Sequence, residues 1–398
     1  MCIRDRSEIC KDVPVEELVQ THSRLINIPS RNPPGEEERC ARFIADTMRR
    51  WGFEAEIIEE PLPDRPQVVV SILGSEQNRT LILNGHIDVV PEGDRGKWST
   101  DPFIATIRDG RVYGRGAADM KAGLACMMVL PRMLRKKKLR GNLVLTFATG
   151  EETGELGTKH LLTRSLPDRG IQGDWGIVLE PSSLETATSE KGLTWFHITL
   201  KGRPAHASAP ENGVNAVAKA VEVAKSLEKY NRRISKRSHP LVGRSTCTMT
   251  MIWGGVKENL IPESCTIAID RRFLPGENIS EVERDLHATL KRLGRRDPEF
   301  GYDFKRTQLY EPAEIPVKSE IAEVLRRNTQ EITGKIRKPY GFIASSDVRN
   351  FINDAKIPAV TWGPGDLSQA HTFDESVEIK EMIDASKILA LTAYDLLS

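Results

Sequence analysis

The sequence lacks an excess of either charge: 57 Lys and Arg stand against 56 Asp and Glu, a formal net charge of +1. No global field therefore draws the chain to nucleic acid or anionic lipid, and a substrate has to be recognised locally. Long apolar runs are missing as well. No stretch reaches the roughly 20 apolar residues that span a bilayer, and no apolar segment follows the first charges as a secretory leader requires. Cysteine is sparse and scattered. The six, Cys2, Cys10, Cys40, Cys126, Cys247 and Cys265, show no CxxC or other close spacing, which argues against a disulfide framework and against a cysteine-ligated zinc site. Repeats and low-complexity tracts are absent. These absences lead us to expect a soluble, cytoplasmic protein with no nucleic-acid or membrane partner.

What is present is an ordinary globular composition, 39% hydrophobic and 28% charged over 398 residues, more length than one core usually takes, so about two domains are expected. The opening Met1-Cys2-Ile3-Arg4-Asp5-Arg6 looks like the start of no element, as a sequence-assembly scar would, and is left out of the fold argument. Apolar runs at Val68–Leu73, Thr80–Asn84, Asn142–Ala148, Trp175–Leu179 and Ala359–Trp362 alternate with amphipathic stretches at Val15–Ile26, Glu36–Trp51, Lys121–Arg135, Glu320–Thr333 and Glu378–Leu397. This alternation predicts an α/β domain built on a mainly parallel sheet. From Gly192 the order becomes strand, helix, strand, strand, helix, strand, an α+β pattern with an antiparallel sheet. The predicted organisation is a discontinuous domain, 7–191 and 307–398, carrying an inserted ferredoxin-like domain at 192–306. Lys136, Lys137 and Lys138 read as a solvated turn, since no aromatic or further basic cluster accompanies them.

Acidic and histidine residues stand just after predicted strands or at turns: Gly85-His86-Ile87-Asp88, Gly116-Ala117-Ala118-Asp119, Gly150-Glu151-Glu152 and Leu179-Glu180-Pro181. Open α/β sheets bind ligands beyond the carboxyl ends of their strands. Each cluster alone reads equally as a surface pair or a helix start, and His371, in a loop after Trp362-Gly363-Pro364-Gly365, as an ordinary loop residue. Together they differ, because converging carboxylates repel one another without a cation, and imidazole with carboxylate oxygen is a zinc-type donor set.

Four segments carry a family resemblance: Gly85-His86-Ile87-Asp88-Val89-Val90-Pro91; Tyr113-Gly114-Arg115-Gly116-Ala117-Ala118-Asp119-Met120-Lys121-Ala122-Gly123; Glu151-Glu152; and Gly202-Arg203-Pro204-Ala205-His206-Ala207-Ser208. In order and spacing the chain, from about Val13 onwards, resembles the acetylornithine deacetylase, succinyl-diaminopimelate desuccinylase and aminoacylase family of co-catalytic zinc metallopeptidases. The resemblance implies two divalent ions, zinc first, with cobalt or manganese accepting the same ligands. Asp119 would bridge them, His86 and Glu180 completing one site and Glu152 and His371 the other. It implies that Glu151 is the general base and proton shuttle, that Asp88 fixes the tautomer of His86, and that the Asp119–Met120 peptide is cis.

His206 would reach the active site of a dimer partner and stabilise an oxyanion. Asn259 and Arg272 match substrate-binding positions, an arginine fork suiting a carboxylate. The inserted domain would close as a lid, and its sheet edge would pair in a homodimer. The implied reaction is amide hydrolysis of a small N-acyl amino acid. Dipeptidase or carboxypeptidase activity uses the same chemistry, and a metal-stabilised binding protein without turnover is the alternative from another class. Gly363-Pro364-Gly365 before Gln369-Ala370-His371 resembles the deacetylase and desuccinylase branch, whereas Phe342-Ile343-Ala344-Ser345-Ser346-Asp347 departs from its Gly-Thr-Asp-Ala-Arg type.

Overall fold

The structure is a computed structural model that describes residues 3–11, 13–154 and 156–398. They form two compact units: one takes in Met1–Thr188, Glu314–Phe342 and Ser346–Ser398, the other Ser189–Ala313 and Ile343–Ser345. In chain order the principal elements are α1 (Ile3–Lys11), α2 (Val15–Ile26), α3 (Glu38–Arg50), β1 (Gln67–Ile72), β2 (Thr80–His86), α4 (Lys121–Leu134), β3 (Asn142–Ala148), β4 (Trp175–Val178), β5 (Gly192–Lys201), α5 (Ala216–Ile234), β6 (Thr246–Gly254), β7 (Ser264–Phe273), α6 (Ile279–Gly294), β8 (Gly301–Tyr310), α7 (Glu320–Thr333), β9 (Ala359–Thr361) and α8 (Ile379–Leu397).

In the first unit the central sheet is mainly parallel. Strands β3, β2, β4 and β9 lie side by side in one direction, and β1 joins β3 antiparallel. Every residue of β2, β3 and β4 is buried, which is why these strands read as continuous apolar runs rather than as alternation. Helix α2 buries the stripe Leu18, Thr21, His22 and Leu25, the spacing of one helical face, while α4 is buried almost all round. No described helix is long and apolar enough to cross a membrane.

The opening segment needs a correction. Ile3–Arg6 begin α1, and the buried Arg6 guanidinium lies 2.5 Å from both Glu331 on α7 and Asp395 on α8 and donates to Asn328. Arg6 and Asp395 are largely removed from water and favour each other, with Glu331 at the edge, so a segment that looked patternless is tied to two core helices. Lys137, expected in a solvated turn, lies 2.9 Å from Glu8 of α1 with its side chain largely covered. Met1 and Cys2 lie outside the described residues, and the five described cysteines are free.

In the second unit the strand order is β6-β7-β5-β8, antiparallel throughout, the ferredoxin-like arrangement. Strand β8 runs on to Tyr310, beyond residue 306, where the sequence reading ended the insertion. Phe196, Ile198 and Leu200 alternate inward from β5 onto Ala220, Val223 and Leu227 of α5 and Leu286 and Leu290 of α6. Both helices open on an asparagine cap: Asn215 accepts from the Ala218 N–H, and Asn278 from that of Glu281. The opposite sheet face leaves Trp195, Met251 and Trp253 exposed by 43%, 60% and 45%.

Candidate metal centre

His86 ends β2, Glu151 and Glu152 turn away from the end of β3, and Glu180 follows β4, so three adjacent strands deliver these side chains at one edge. Asp119 closes the turn before α4, and His371 follows a single 3₁₀ turn, Leu367–Gln369. Gly150, at φ 84°, lets the chain reverse into the Glu151–Glu152 turn. His371 adopts φ 61°, a conformation that side chains other than glycine rarely hold.

The geometry is paired. His86 Nε2 lies 3.2 Å from Asp119 Oδ1 and 3.8 Å from Glu180 Oε1. The other Asp119 oxygen, Oδ2, is 3.4 Å from His371 Nε2, which is 3.1 Å from Glu152 Oε2. Two three-donor groups, His86-Asp119-Glu180 and Asp119-Glu152-His371, thus share one carboxylate, and all five ligands named from the sequence converge. The Asp119–Met120 peptide is cis.

Electrostatics favour a cation here. Burial, then the charge of Asp119, pushes the Glu180 carboxyl well above the usual range; burial does the same to Glu151 and raises Glu152 as well. His371 is raised to about 11 by its hydrogen bonds to Asp119 and Glu152, so without a metal a proton takes the place of the positive charge. Among the described residues Glu152 Oε1 is buried with no hydrogen-bond partner, an acceptor of the kind an ion satisfies. Imidazole and carboxylate donors, with no thiolate among them, suit zinc, cobalt or manganese.

With this geometry in hand, the sequence profile of Peptidase family M20/M25/M40 matches residues 82–395. The chain belongs to this family. It is 29% identical over 409 residues, 96% of this chain and 94% of the relative, to an N-formyl-4-amino-5-aminomethyl-2-methylpyrimidine deformylase of Halalkalibacterium halodurans. It is 28% identical over 381 residues, 92% and 94% of the two chains, to an acetylornithine deacetylase of Proteus mirabilis. Its fold matches a crystal structure of an M20 family metallo-carboxypeptidase from Sulfolobus solfataricus with a TM-score of 0.80 at 20% identity, over 96% of this chain and all of that one. The protein is an M20 family hydrolase.

Asp88 does more in this M20 protein than the resemblance implied. His86 Nδ1 is directed at the Asp88 backbone carbonyl at 3.0 Å, with the nearer carboxylate oxygen at 3.6 Å. That carboxylate instead gathers the Glu151–Glu152 turn: Oδ1 accepts from the N–H groups of Gly150 and Glu151, and Oδ2 from that of Glu152 and from Asn32 Nδ2. Burial works against its ionisation, yet His86, Asn32 and the Glu152 N–H outweigh it and hold the carboxyl below its ordinary value.

In the second unit, His206 and Asn259 sit on two exposed loops joined by a bridge between His206 and Leu260 and by the Ala207 N–H donating to the Asn259 carbonyl. His206 Nδ1 is 2.7 Å from Ser208 Oγ. Arg272 is not a free fork. Its Nε and Nη2 donate to Asp270, which also accepts from Trp195 Nε1.

Four residues beside the site escaped the sequence reading. His22 of α2 is buried with Nε2 2.9 Å from the Ala117 carbonyl, and burial pushes it down to about 3. Asp347, buried in the segment read as atypical, accepts from Thr158 Oγ1 at 2.5 Å, and Arg349 Nη1 stands 3.9 Å from Glu151 Oε1. Glu375, four residues after His371, is buried against the Asp119 turn. A lone histidine on an amphipathic helix and an acid in a polar loop carry no periodic or spacing signal.

Proposed function

We propose that this protein removes a short acyl group from the nitrogen of a small substrate, an N-acyl amino acid first of all, by metal-dependent hydrolysis of the amide. The observation that carries the reading is Glu151. It is buried beside both donor groups, belongs to neither, and has its carboxyl pushed well above the usual range by burial, as a proton acceptor and donor for near-neutral chemistry requires. A non-catalytic binding protein has no use for such a group.

Two divalent ions, zinc first, held by His86, Asp119 and Glu180 and by Asp119, Glu152 and His371, supply when bound the charge that polarises an amide carbonyl and acidifies water. Glu151 takes the proton of the attacking water and delivers it to the leaving nitrogen. Asp88, through the turn it holds, keeps Glu151 free for that transfer while Glu152 faces His371. Asn259 and Arg272 take the substrate's carboxylate, for which Arg272 exchanges its pairing with Asp270. His206, supplied by a second copy of the chain, donates to the developing oxyanion. The exposed face of Trp195, Met251 and Trp253 and the open edge of β6 support a homodimer, since an unpaired apolar edge strand is otherwise a liability.

Short acyl groups are favoured because the two relatives are named for removing formyl and acetyl groups. The first is named for a pyrimidine amine rather than an amino acid, so N-formylated aminomethylpyrimidines belong beside N-acetyl and N-succinyl amino acids and dipeptides in a substrate panel. Glu151→Gln is the test of mechanism. It should lose about 10²- to 10⁴-fold in turnover at unchanged metal content. Full turnover with both ions bound would sink the assignment.

A further inference from the structure

One buried acid outside both donor groups ties their loops together. Glu375 is 1% exposed, and among the described residues every hydrogen bond to its carboxylate comes from the segment 115–119. Oε1 accepts from the N–H groups of Ala118 at 2.8 Å and Asp119 at 3.0 Å; Oε2 accepts from the Gly116 N–H at 3.0 Å and Arg115 Nη1 at 2.7 Å. Its own carbonyl accepts from the Gly114 N–H, and Arg115 reaches back to the carbonyl of Thr372, next to His371. The segment just beyond, Ser376–Glu378, pairs antiparallel with Arg111–Tyr113. Three backbone N–H groups converging on one anion form a nest, here filled by the chain itself.

The two donor groups do not depend equally on this clasp. His86 and Glu180 extend from buried strand ends and are themselves buried, so the sheet holds them. His371 stands on an exposed loop at a left-handed φ, and the nearest buried anchor on that loop is Glu375. Asp119 belongs to both groups, and its N–H is one of those held.

We propose that Glu375 is a positioning residue that sets the distance between Asp119 and His371, and so fixes the affinity of the Asp119-Glu152-His371 group for its ion. This rests on the reading that the two donor groups hold divalent cations. Losing the clasp leaves the first ion bound and weakens the second. Partners that orient metal ligands from behind typically change affinity 10- to 100-fold when removed, and that is the range expected here.

The test is calorimetric titration of metal-stripped protein with zinc, and with cobalt to read the absorption spectrum of each added equivalent. Native protein should bind two equivalents. Glu375→Gln keeps size and one acceptor but, whichever way it turns, sets an NH₂ group against two donors; it should bind the second equivalent at least tenfold more weakly, with the first changed less than about threefold. Its second cobalt spectrum should also be altered. Glu375→Asp should recover part of the loss, and Asp374→Asn, on the same loop but bonded to Ser99, should match native protein.

A folded Glu375→Gln that binds both equivalents like native protein, or loses both equally, overturns the proposal. Should that variant fail to fold, Glu375→Asp is read by the same criteria, and amide exchange in native metal-free protein decides independently. Residues 114–119 should be protected there, and exchange as fast as an open loop contradicts the clasp. Native protein that binds fewer than two ions would instead defeat the two-cation reading on which the proposal rests.

Discussion

Replacing Asp88 with asparagine should unfold the first unit more readily even when no metal is present. The carboxylate takes four hydrogen bonds: Gly150 N–H at 3.1 Å and Glu151 N–H at 3.3 Å on Oδ1, Glu152 N–H at 3.1 Å and Asn32 Nδ2 at 2.8 Å on Oδ2. An amide has one oxygen, so whichever way it turns, two buried donors face an NH₂ group. Each unsatisfied buried donor costs about 1–3 kcal/mol, giving roughly 2–6 kcal/mol for the pair, a large share of the ~5–15 kcal/mol that holds a domain together. The assay is urea unfolding of metal-stripped native and Asp88→Asn protein. Trp51, Trp98, Trp175 and Trp362 report on the first unit, Trp195 and Trp253 on the second. The first transition should move to lower urea and the second should stay. pH supplies an independent check. The Asp88 carboxyl is depressed in the fold, so its contribution is full above the unfolded carboxylate pKa of about 3.9 and is lost as pH falls through the folded value. The gap between native and variant should therefore close on acidification below about pH 4. An unchanged first transition, with only metal affinity reduced, would refute the turn-holding role and leave Asp88 as an orienter of His86 alone.

Other outcomes follow from the same geometry. Metal uptake by the second donor group should release a proton: His371 is raised to about 11 by Asp119 and Glu152, so its stabilising charge is present below the unfolded value of about 6.5 and lost as pH rises through 11. Calorimetry at pH 8 in buffers of different ionisation enthalpy should show that release, absent in His371→Asn. Gly123→Ala lies within α4, where helix propensity alone favours alanine by ~1 kcal/mol. The new Cβ would stand 2.5 Å from the Leu179 carbonyl oxygen beside Glu180, so the change should destabilise by about 1–3 kcal/mol and weaken binding of the first ion; a raised melting temperature would contradict this. Trp253→Glu on the exposed face should shift a sedimenting dimer to monomer and take turnover with it, and an unaltered sedimentation coefficient would remove the interface from the account.

Much of the site was legible because several of its side chains obey a local rule. His86, Glu151 and Glu180 each follow a continuous apolar run, and such runs become the buried strands of a mainly parallel sheet whose carboxyl ends share one edge. The ferredoxin-like order of the second unit was readable for a similar reason, since alternation along β5 and 3.6-residue stripes on α5 and α6 leave a pattern in sequence. Contacts between distant segments leave none. Glu375 differs in no sequence feature from its half-buried neighbour Asp374, yet one fills a nest 256 residues away and the other bonds Ser99. Arg6 looked like part of a scar because its partners Glu331 and Asp395 lie more than 300 residues on. The pairing of Arg272 with Asp270 was hidden differently: two residues apart on one strand, they face the same side, and nothing in the sequence says whether an arginine so placed reserves its fork for a substrate.

The most direct test of the account is hydrolysis by metal-stripped protein before and after addition of two equivalents of zinc, across N-formyl, N-acetyl and N-succinyl substrates and dipeptides. No cleavage is expected without metal and restored cleavage with it, fastest on a short acyl amide. Cleavage that survives complete removal of metal, or silence on every substrate with both donor groups filled, would contradict it.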